Sequence, residues 1–217
     1  MTSGWSDLRA VVLDIDGTLL DSADGIVAGY AHALEAVGVE PPDDATLRAD
    51  LGPPISTLLP TLGVPADRLD EAVSAYRTFY LREGLQQADA YDGVAEVLTA
   101  LGGRYALGMA TAKRTDVAQA ILEAHGLAAF FAVVNGLGDD HPTKAATLTQ
   151  TLGLMGGLDP ADAVMVGDRR SDIAAGQAVG SRTVGVLWGY GSRAELEDAG
   201  ADVLLEHPRQ LVDLLID

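Results

Sequence analysis

The chain has 217 residues, of which 48% are hydrophobic, enough to bury one large core or one core plus a small inserted domain. Its 14 Lys and Arg residues against 32 Asp and Glu residues give a formal net charge of −18, which disfavours binding to nucleic acid or to anionic membranes. The absence of cysteine excludes disulfides, thiolate nucleophiles and sulfur-ligated metals.

The N-terminal sequence MTSGWSDLRA has neither a basic segment nor a long apolar segment, so it does not resemble a secretion signal. No stretch of the sequence reaches the roughly 18 apolar residues that span a bilayer. The lack of cysteine fits a reducing compartment. We therefore predict a cytoplasmic protein without a membrane partner.

Short apolar runs that end at Gly, Asp or Asn alternate with stretches of helical periodicity along most of the chain. This alternation is typical of a parallel sheet whose strands are joined by crossover helices. The predicted strands are 9–15, 105–111, 130–136, 163–168, 183–188 and 202–205. The predicted helices are 92–101, 114–125, 143–154, 171–179, 193–199 and 208–215. We predict an α/β fold with a Rossmann-like, doubly wound parallel sheet.

The alternation is interrupted once, after the first strand, where no further strand is predicted before about residue 90. The segments GIVAGYAHALEAVG (25–38) and ADRLDEAVSAYRTFYLREG (66–84) both have the periodicity of amphipathic helices, and Pro- and Gly-rich segments separate shorter pieces. We therefore predict a helical cap domain, residues 22–90, inserted into a core domain formed by residues 1–21 and 91–217.

The first strand ends in VVLDIDGTLLDS, which places Asp14 and Asp16 directly after a buried apolar run. Two carboxylates at such a position repel each other, and nothing local neutralises them. The carboxyl ends of parallel strands meet at one edge of the sheet, where ligands bind in open α/β folds. The pair is therefore a candidate functional site.

Polar residues also follow the other strands at this edge. Thr111 and Ala112 follow the second strand, Lys144 opens the helix after the third, and Asp168 and Asp172 follow the fourth. Any one of them alone is more often a cap, a turn residue or a solvated side chain than a functional group. Together they predict one convergent site.

Several carboxylates in one pocket require a cation, and a hard divalent ion that prefers oxygen ligands is suited to them. Mg²⁺ fits best, with Asp14, Asp168 and the main-chain carbonyl of Asp16 as ligands. The chain has 12 arginines and only two lysines, Lys113 and Lys144, and both lie at the predicted site. A compact ammonium suits simultaneous contact with a phosphate and a carboxylate.

The motifs DIDGTLLDS, Thr111, Lys144 and GDRRSD, in this order on alternating strands and helices, resemble the four motifs of the haloacid dehalogenase superfamily of phosphotransferases. The helical insert after the first motif and the segment GVLWGYGSRAELEDAGAD are similar to the phosphoglycolate-phosphatase-like branch. The resemblance implies a Mg²⁺-dependent phosphatase that acts on a small phosphorylated metabolite such as phosphoglycolate, a nucleoside monophosphate or a sugar phosphate. A monomer or a weak homodimer is expected.

By this resemblance, Asp14 is the nucleophile that forms an aspartyl-phosphate, and Asp16 is the general acid and base. Thr111 and the main-chain N–H of Ala112 bind phosphate oxygens, and Lys144 neutralises their charge. Asp172, which is not a predicted metal ligand, orients a metal-bound water or Lys144.

Two departures from the family pattern concern the phosphate site. Ala112 stands where many relatives have Asn or Ser, and His141 with Pro142 stands where a basic residue often precedes the lysine. Two alternatives also stay open: a phosphomutase of the same superfamily, and a non-catalytic phosphate-binding regulator. Selectivity is expected from the insert, where Arg48 is a candidate contact for a second anionic group, or else a surface arginine paired with Asp44 or Asp50.

Overall fold

A computed structural model of the chain describes residues 4–216. Its main sheet is parallel and has six strands in the order β5-β4-β1-β6-β7-β8. These strands are β1 (Ala10–Leu13), β4 (Ala106–Thr111), β5 (Val133–Gly136), β6 (Ala163–Gly167), β7 (Arg182–Val186) and β8 (Val203–Leu205). The predicted α/β fold with a parallel sheet is thereby confirmed.

The central strand β1 is buried on both faces, because helices cover both sides of the sheet. Ala10 and Val12 on one face belong to a core cluster with Leu148 and Ala175, which lie on helices α7 (Lys144–Leu154) and α8 (Arg170–Val179). Leu13 on the other face lies beside helix α5 (Val94–Gly102) and helix α10 (Gln210–Leu215). The alternation of side chains along β1 therefore supplies two cores, as in a doubly wound fold.

Two more α-helices connect strands of the main sheet: α6 (Thr115–Ala124), between β4 and β5, and α9 (Arg193–Asp198), between β7 and β8. Two short strands, β2 (Leu20–Asp21) and β3 (Asp89–Ala90), form a separate two-stranded sheet. The sequence analysis did not predict them, because two residues are too few to show an alternating pattern.

The described chain divides into two compact units. One comprises the residues up to Asp21 and those from Ala90 onward, and the other comprises Ser22–Asp89. The second unit is helical, with α1 (Ala23–Ala36), α2 (Asp44–Ala49), α3 (Ile55–Thr61) and α4 (Leu69–Arg82). Among residues 4–216, no helix has both the length and the apolar character needed to cross a bilayer.

Glycine allows the two long helices of the second unit to approach closely. A Cβ atom added at Gly29 of α1 would lie 2.8 Å from the ring of Tyr76 on α4. The ring of Tyr76 also lies 5.6 Å, centroid to centroid, from the rings of both Tyr30 and Tyr80. The aromatic face of α4 thus packs on α1, which gives this unit its own core.

Candidate active site

The strand order brings the predicted motifs together. Because β1 lies between β4 and β6, the residues that follow these three strands are neighbours at one edge of the sheet. The N–H of Asp14 donates to the carbonyl of Val166 in β6 at 3.0 Å, which fixes the backbone just beyond β1. Thr111 is the last residue of β4, and Asp168 directly follows β6.

Asp14 is buried and has two partners for its carboxylate. Its Oδ1 accepts a hydrogen bond from the N–H of Ile15 at 2.8 Å, and its Oδ2 lies 2.5 Å from Nζ of Lys144. The side chains of Asp14 and Lys144 are each only 9% exposed. One main-chain donor and one ammonium therefore hold the carboxylate of Asp14 in place.

Lys144 is the first residue of α7 and also pairs with Asp172 of α8. Asp172 is held from a second side, because its Oδ2 accepts a hydrogen bond from the N–H of Arg169 at 3.0 Å. Gly167 makes room for this side chain: a Cβ atom added there would lie 2.1 Å from Cγ of Asp172. Lys144 thus bridges the nucleophile candidate and a fixed carboxylate.

The charges in this cluster determine its protonation. Burial alone would lower the pKa of Lys144, but the charges of Asp14 and Asp172 outweigh it and raise that pKa above its ordinary value. Burial raises the pKa of Asp172 to about 6, against the opposing effect of Lys144. The ammonium of Lys144 therefore stays charged throughout the physiological range.

Asp168 is fully buried and is the least neutralised carboxylate of the cluster. Its Oδ2 accepts a hydrogen bond from the N–H of Tyr190 at 2.8 Å, whereas its Oδ1 has no hydrogen-bond partner within residues 4–216. Burial, followed by the charges of Asp172 and Asp14, raises the pKa of Asp168 to about 8. A buried carboxylate oxygen of this kind is suited to contact with a cation.

The cluster has the donor set of a divalent metal site. One carboxylate oxygen from each of Asp14, Asp168 and Asp172 lies within 4.8 Å of the others, and all three residues are buried. Oxygen donors of this charge suit a hard ion such as Mg²⁺. The sequence analysis named Asp14, Asp168 and the main-chain carbonyl of Asp16 as ligands, and the carboxylate of Asp172 completes the group found in the described part of the chain.

Asp16 has a different environment from Asp14. Its Oδ2 lies 2.8 Å from Nζ of Lys113, and the two side chains are 19% and 13% exposed, respectively. Both lysines of the chain therefore contact an aspartate of the first motif, one each. Asp16, the more exposed member of the aspartate pair, is the one that the sequence analysis named as the proton donor.

The other predicted residues have these positions. Thr111 is buried, and its Oγ1 lies 3.4 Å from the N–H of Lys113. Ala112 is partly exposed beside it.

Arg48 lies on α2 in the second unit, is 43% exposed, and pairs with Asp24 of α1. The sequence analysis considered Asp44 or Asp50 as its partner, and the pair with Asp24, which it did not consider, forms because α1 packs beside α2.

One contribution to the site was not predicted: the hydrogen bonds made by the segment that follows β7, from one side chain and one main-chain N–H group. Trp188 Nε1 donates to the carbonyl of Thr18 at 3.0 Å, and the N–H of Tyr190 donates to Asp168. A Cβ atom added at Gly189 would lie 2.1 Å from the carbonyl of Gly17. The glycines of the segment WGYG were the available signal for this close approach.

Comparison with known proteins was made for the sequence and for the structure. The profile of the haloacid dehalogenase-like hydrolases matches residues 11–186, most of the chain. The chain belongs to this family. The matched region contains all four motifs of the site described above.

Proteins similar in sequence to this chain carry names that describe different activities. Tyrosine-protein kinase PtkA of Mycobacterium tuberculosis is 35% identical over 95% of this chain and 71% of its own length. Pyrophosphatase PpaX of Bacillus velezensis is 31% identical over 95% and 96%. Phosphoglycolate phosphatase of Aquifex aeolicus is 30% identical over 96% and 97%.

Solved structures agree with the family assignment. A haloacid dehalogenase-like hydrolase from Streptococcus pneumoniae is 29% identical, with a TM-score of 0.89 over 95% of this chain and 98% of that one. Together with the relatives named as phosphatases, this assigns the chain to the phosphatases of the family, which are phosphoric monoester hydrolases.

Proposed function

We propose that this family member is a Mg²⁺-dependent phosphatase that hydrolyses a small soluble phosphate monoester through an aspartyl-phosphate at Asp14. The substrates proposed are phosphoglycolate, a nucleoside monophosphate or a sugar phosphate, in the cytoplasm. The observation that carries the proposal is the pair of aspartates in two environments. Asp14 is buried against Lys144, and Asp16 lies two residues away in a more exposed contact with Lys113.

In the first half-reaction, a carboxylate oxygen of Asp14 attacks phosphorus while the bond from phosphorus to the leaving oxygen breaks. Asp16 donates the proton that the leaving oxygen needs. In the second half-reaction, Asp16 removes a proton from water, which attacks the phosphoryl group, and inorganic phosphate leaves Asp14. Two carboxylates are required because Asp14 cannot be bonded to phosphorus and transfer the proton at the same time.

Thr111 and the N–H of Ala112 are proposed to hold the phosphate oxygens, together with Lys144. Asp14 and Asp168, with the main-chain carbonyl of Asp16, are the proposed metal ligands. When bound, Mg²⁺ offsets the negative charge of the transferring phosphoryl group. Four carboxylates and two ammonium groups leave a formal excess of two negative charges at the site, which supports a divalent ion.

The proposal is tested by the release of free phosphate from p-nitrophenyl phosphate. We expect turnover with Mg²⁺, loss of turnover in EDTA, and recovery when Mg²⁺ is restored. Asp14→Asn, which is isosteric, is the matched control, and we expect it to fold while losing roughly a thousandfold or more in turnover.

The same assay separates the alternative activities. A phosphomutase or a kinase would pass the phosphoryl group to a second hydroxyl, so free phosphate would not accumulate with the product alcohol. A phosphate-binding regulator would release neither product. Full turnover in EDTA, or full turnover by Asp14→Asn, would contradict the proposal.

A further inference from the structure

The loop between β5 and α7 encloses the ring of His141, whose side chain is only 13% exposed. Gly138 and His141 pair across this loop, and the N–H of His141 donates to the carbonyl of Gly138 at 3.2 Å. A Cβ atom added at Gly138 would lie 2.5 Å from Cε1 of the ring. The ring therefore occupies space beside Gly138 that the side chain of any larger residue at this position would need.

Both ring nitrogens of His141 face oxygen acceptors. Nε2 lies 2.9 Å from the carbonyl oxygen of Gly136, and Nδ1 lies 2.6 Å from Oδ1 of Asp140. A carbonyl oxygen can only accept, so Nε2 must carry a hydrogen. Nδ1 makes no hydrogen bond within residues 4–216, although Oδ1 of Asp140 lies close to it. The ring therefore fastens the loop through the hydrogen bond from Nε2 to Gly136.

Gly136, which the ring holds, abuts the loop that carries Lys113. The N–H of Leu137 donates to the carbonyl of Lys113 at 2.8 Å, and the N–H of Gly136 lies 3.0 Å from Oγ1 of Thr115. A Cβ atom added at Gly136 would lie 2.1 Å from the carbonyl oxygen of Lys113. A shift of Gly136 would consequently displace the main chain of Lys113.

On its other side, His141 is tied to the start of α7. Its carbonyl accepts a hydrogen bond from Oγ1 of Thr147 at 3.4 Å. Thr143 caps the helix through the N–H of Ala146 at 3.2 Å, and Lys144 follows as the first helical residue. Only two residues, Pro142 and Thr143, therefore separate His141 from the lysine whose ammonium contacts Asp14.

We infer that His141 is a positioning residue whose ring, through Nε2, fastens the β5–α7 loop and thereby places Lys144 against Asp14. The groups that face it are Asp140 in its own loop, Thr147 and Gln150 on α7, and the main chain next to Lys113 on the β4–α6 side. Gln150 supports the arrangement through Nε2, 3.5 Å from Oδ2 of Asp140. This role rests on the proposed function, because it concerns the phosphate-binding lysine.

The hydrogen bond from Nε2 is tested without any assay of activity. Nitrogen-15 shifts of the imidazole rings would be compared between the wild-type protein and His141→Gln. The chain has four histidines, so the few ring signals can be assigned by difference. We expect the wild-type spectrum to contain one ring that carries a hydrogen on Nε2 and is missing from the variant. A His141 ring without a hydrogen on Nε2 would overturn the inference.

The positioning role is tested by kinetics and by inhibition with inorganic phosphate, which measures phosphate binding directly. His141→Ala is expected to lower kcat/KM roughly 10- to 100-fold and to weaken phosphate inhibition, since small displacements of a site group are costly. His141→Gln is expected to recover part of both losses, because its amide can still donate to Gly136. The exposed His207→Gln is the matched control and is expected to behave as wild type.

Melting temperatures separate positioning from stability. A merely structural histidine would lower the melting temperature of His141→Ala while leaving kcat/KM and phosphate inhibition unchanged well below it, and this result would overturn the inference. Equal kinetic losses in His141→Ala and His141→Gln would overturn it as well. If the wild-type protein released no phosphate from any monoester, the proposed function would fail, while the nitrogen-15 experiment would still decide the state of His141.

Discussion

At the scale of single residues, we propose that the site gives two chemical roles to two identical side chains. Asp14 and Asp16 are separated by one residue, yet Asp14 is buried against Lys144 whereas Asp16 is reached by Lys113 and partly by solvent. A nucleophile benefits from a fixed ammonium and exclusion of water. A proton donor and acceptor benefits from access to the leaving group and to water.

This difference between the two aspartates predicts how the turnover of Asp16→Asn depends on the leaving group of the substrate. The variant should lose about 100-fold or more in turnover of an alkyl phosphate, because an alkoxide needs a proton to leave. It should lose distinctly less in the first half-reaction with p-nitrophenyl phosphate, whose phenolate leaves unaided. Burst kinetics with both substrates measure this difference, and equal losses on the two would remove Asp16 as the general acid.

At the scale of elements, the site depends on glycines in the loops that surround Asp168. Gly17 has a φ of +73°, and a Cβ atom added there would lie 2.1 Å from Oδ2 of Asp168. A Cβ atom added at Gly191 would lie 1.8 Å from the carbonyl of Asp168. The loop after β1 and the segment after β7 thus approach Asp168 more closely than residues with side chains could.

Gly17→Ala tests this close approach, with Gly38→Ala as the matched control. Gly38 has nearly the same φ, +72°, but a Cβ atom there would meet nothing within 4 Å. In both variants the free energy of unfolding should fall by on the order of 1 kcal/mol, because alanine is strained at a positive φ. Only Gly17→Ala should lose more stability than this and also weaken Mg²⁺ activation, because it displaces Asp168. Urea unfolding and Mg²⁺ titration measure both effects, and identical behaviour of the two variants would contradict the packing argument.

The raised pKa of Asp168 predicts how stability depends on pH when metal is removed. Between its ordinary pKa of 3.8 and its folded value of about 8, the folded protein keeps a proton that the unfolded chain releases. Stability in EDTA should therefore fall as pH rises through this window, and Asp172, with a pKa of about 6, adds to the fall at its lower end.

Mg²⁺ should raise the melting temperature more at pH 8 than at pH 6, because metal ligands must lose their protons. Thermal unfolding in EDTA and in Mg²⁺ across this range is the measurement, with Asp168→Asn as the control that flattens the pH dependence. A metal-free melting temperature that rises from pH 5 to pH 8 would contradict the assignment.

At the scale of the whole molecule, the proposed catalytic groups belong to one unit and Arg48 belongs to the other. An exposed pair such as Arg48 with Asp24 contributes at most about 1 kcal/mol to stability, so the arginine can be tested without loss of the fold. We propose that Arg48→Ala lowers the ratio of kcat/KM for an anionic natural substrate to that for p-nitrophenyl phosphate by about tenfold. Asp24→Asn is the control, and an unchanged ratio in Arg48→Ala would remove Arg48 from substrate binding.

The sequence predicts much of this architecture, because the spacing of apolar residues along the chain distinguishes strands from crossover helices. The aspartates that follow β1 and β6 were identifiable from the same pattern. What local pattern cannot show is pairing across long separations, such as Lys144 with Asp14, 130 residues apart, or Arg48 with Asp24. The hydrogen bond from the main-chain N–H of Tyr190 to Asp168 was not predicted either, because almost every residue type carries a main-chain N–H group.

The central claim is that Asp14 carries the phosphoryl group during turnover. Its most direct test is peptide mass spectrometry of Asp16→Asn after reaction with p-nitrophenyl phosphate and Mg²⁺ and rapid acid quenching. We predict one added phosphoryl group on the peptide that contains Asp14, and none in the Asp14→Asn, Asp16→Asn double variant. A burst of p-nitrophenol without modification of that peptide, or modification at another residue, would contradict the account.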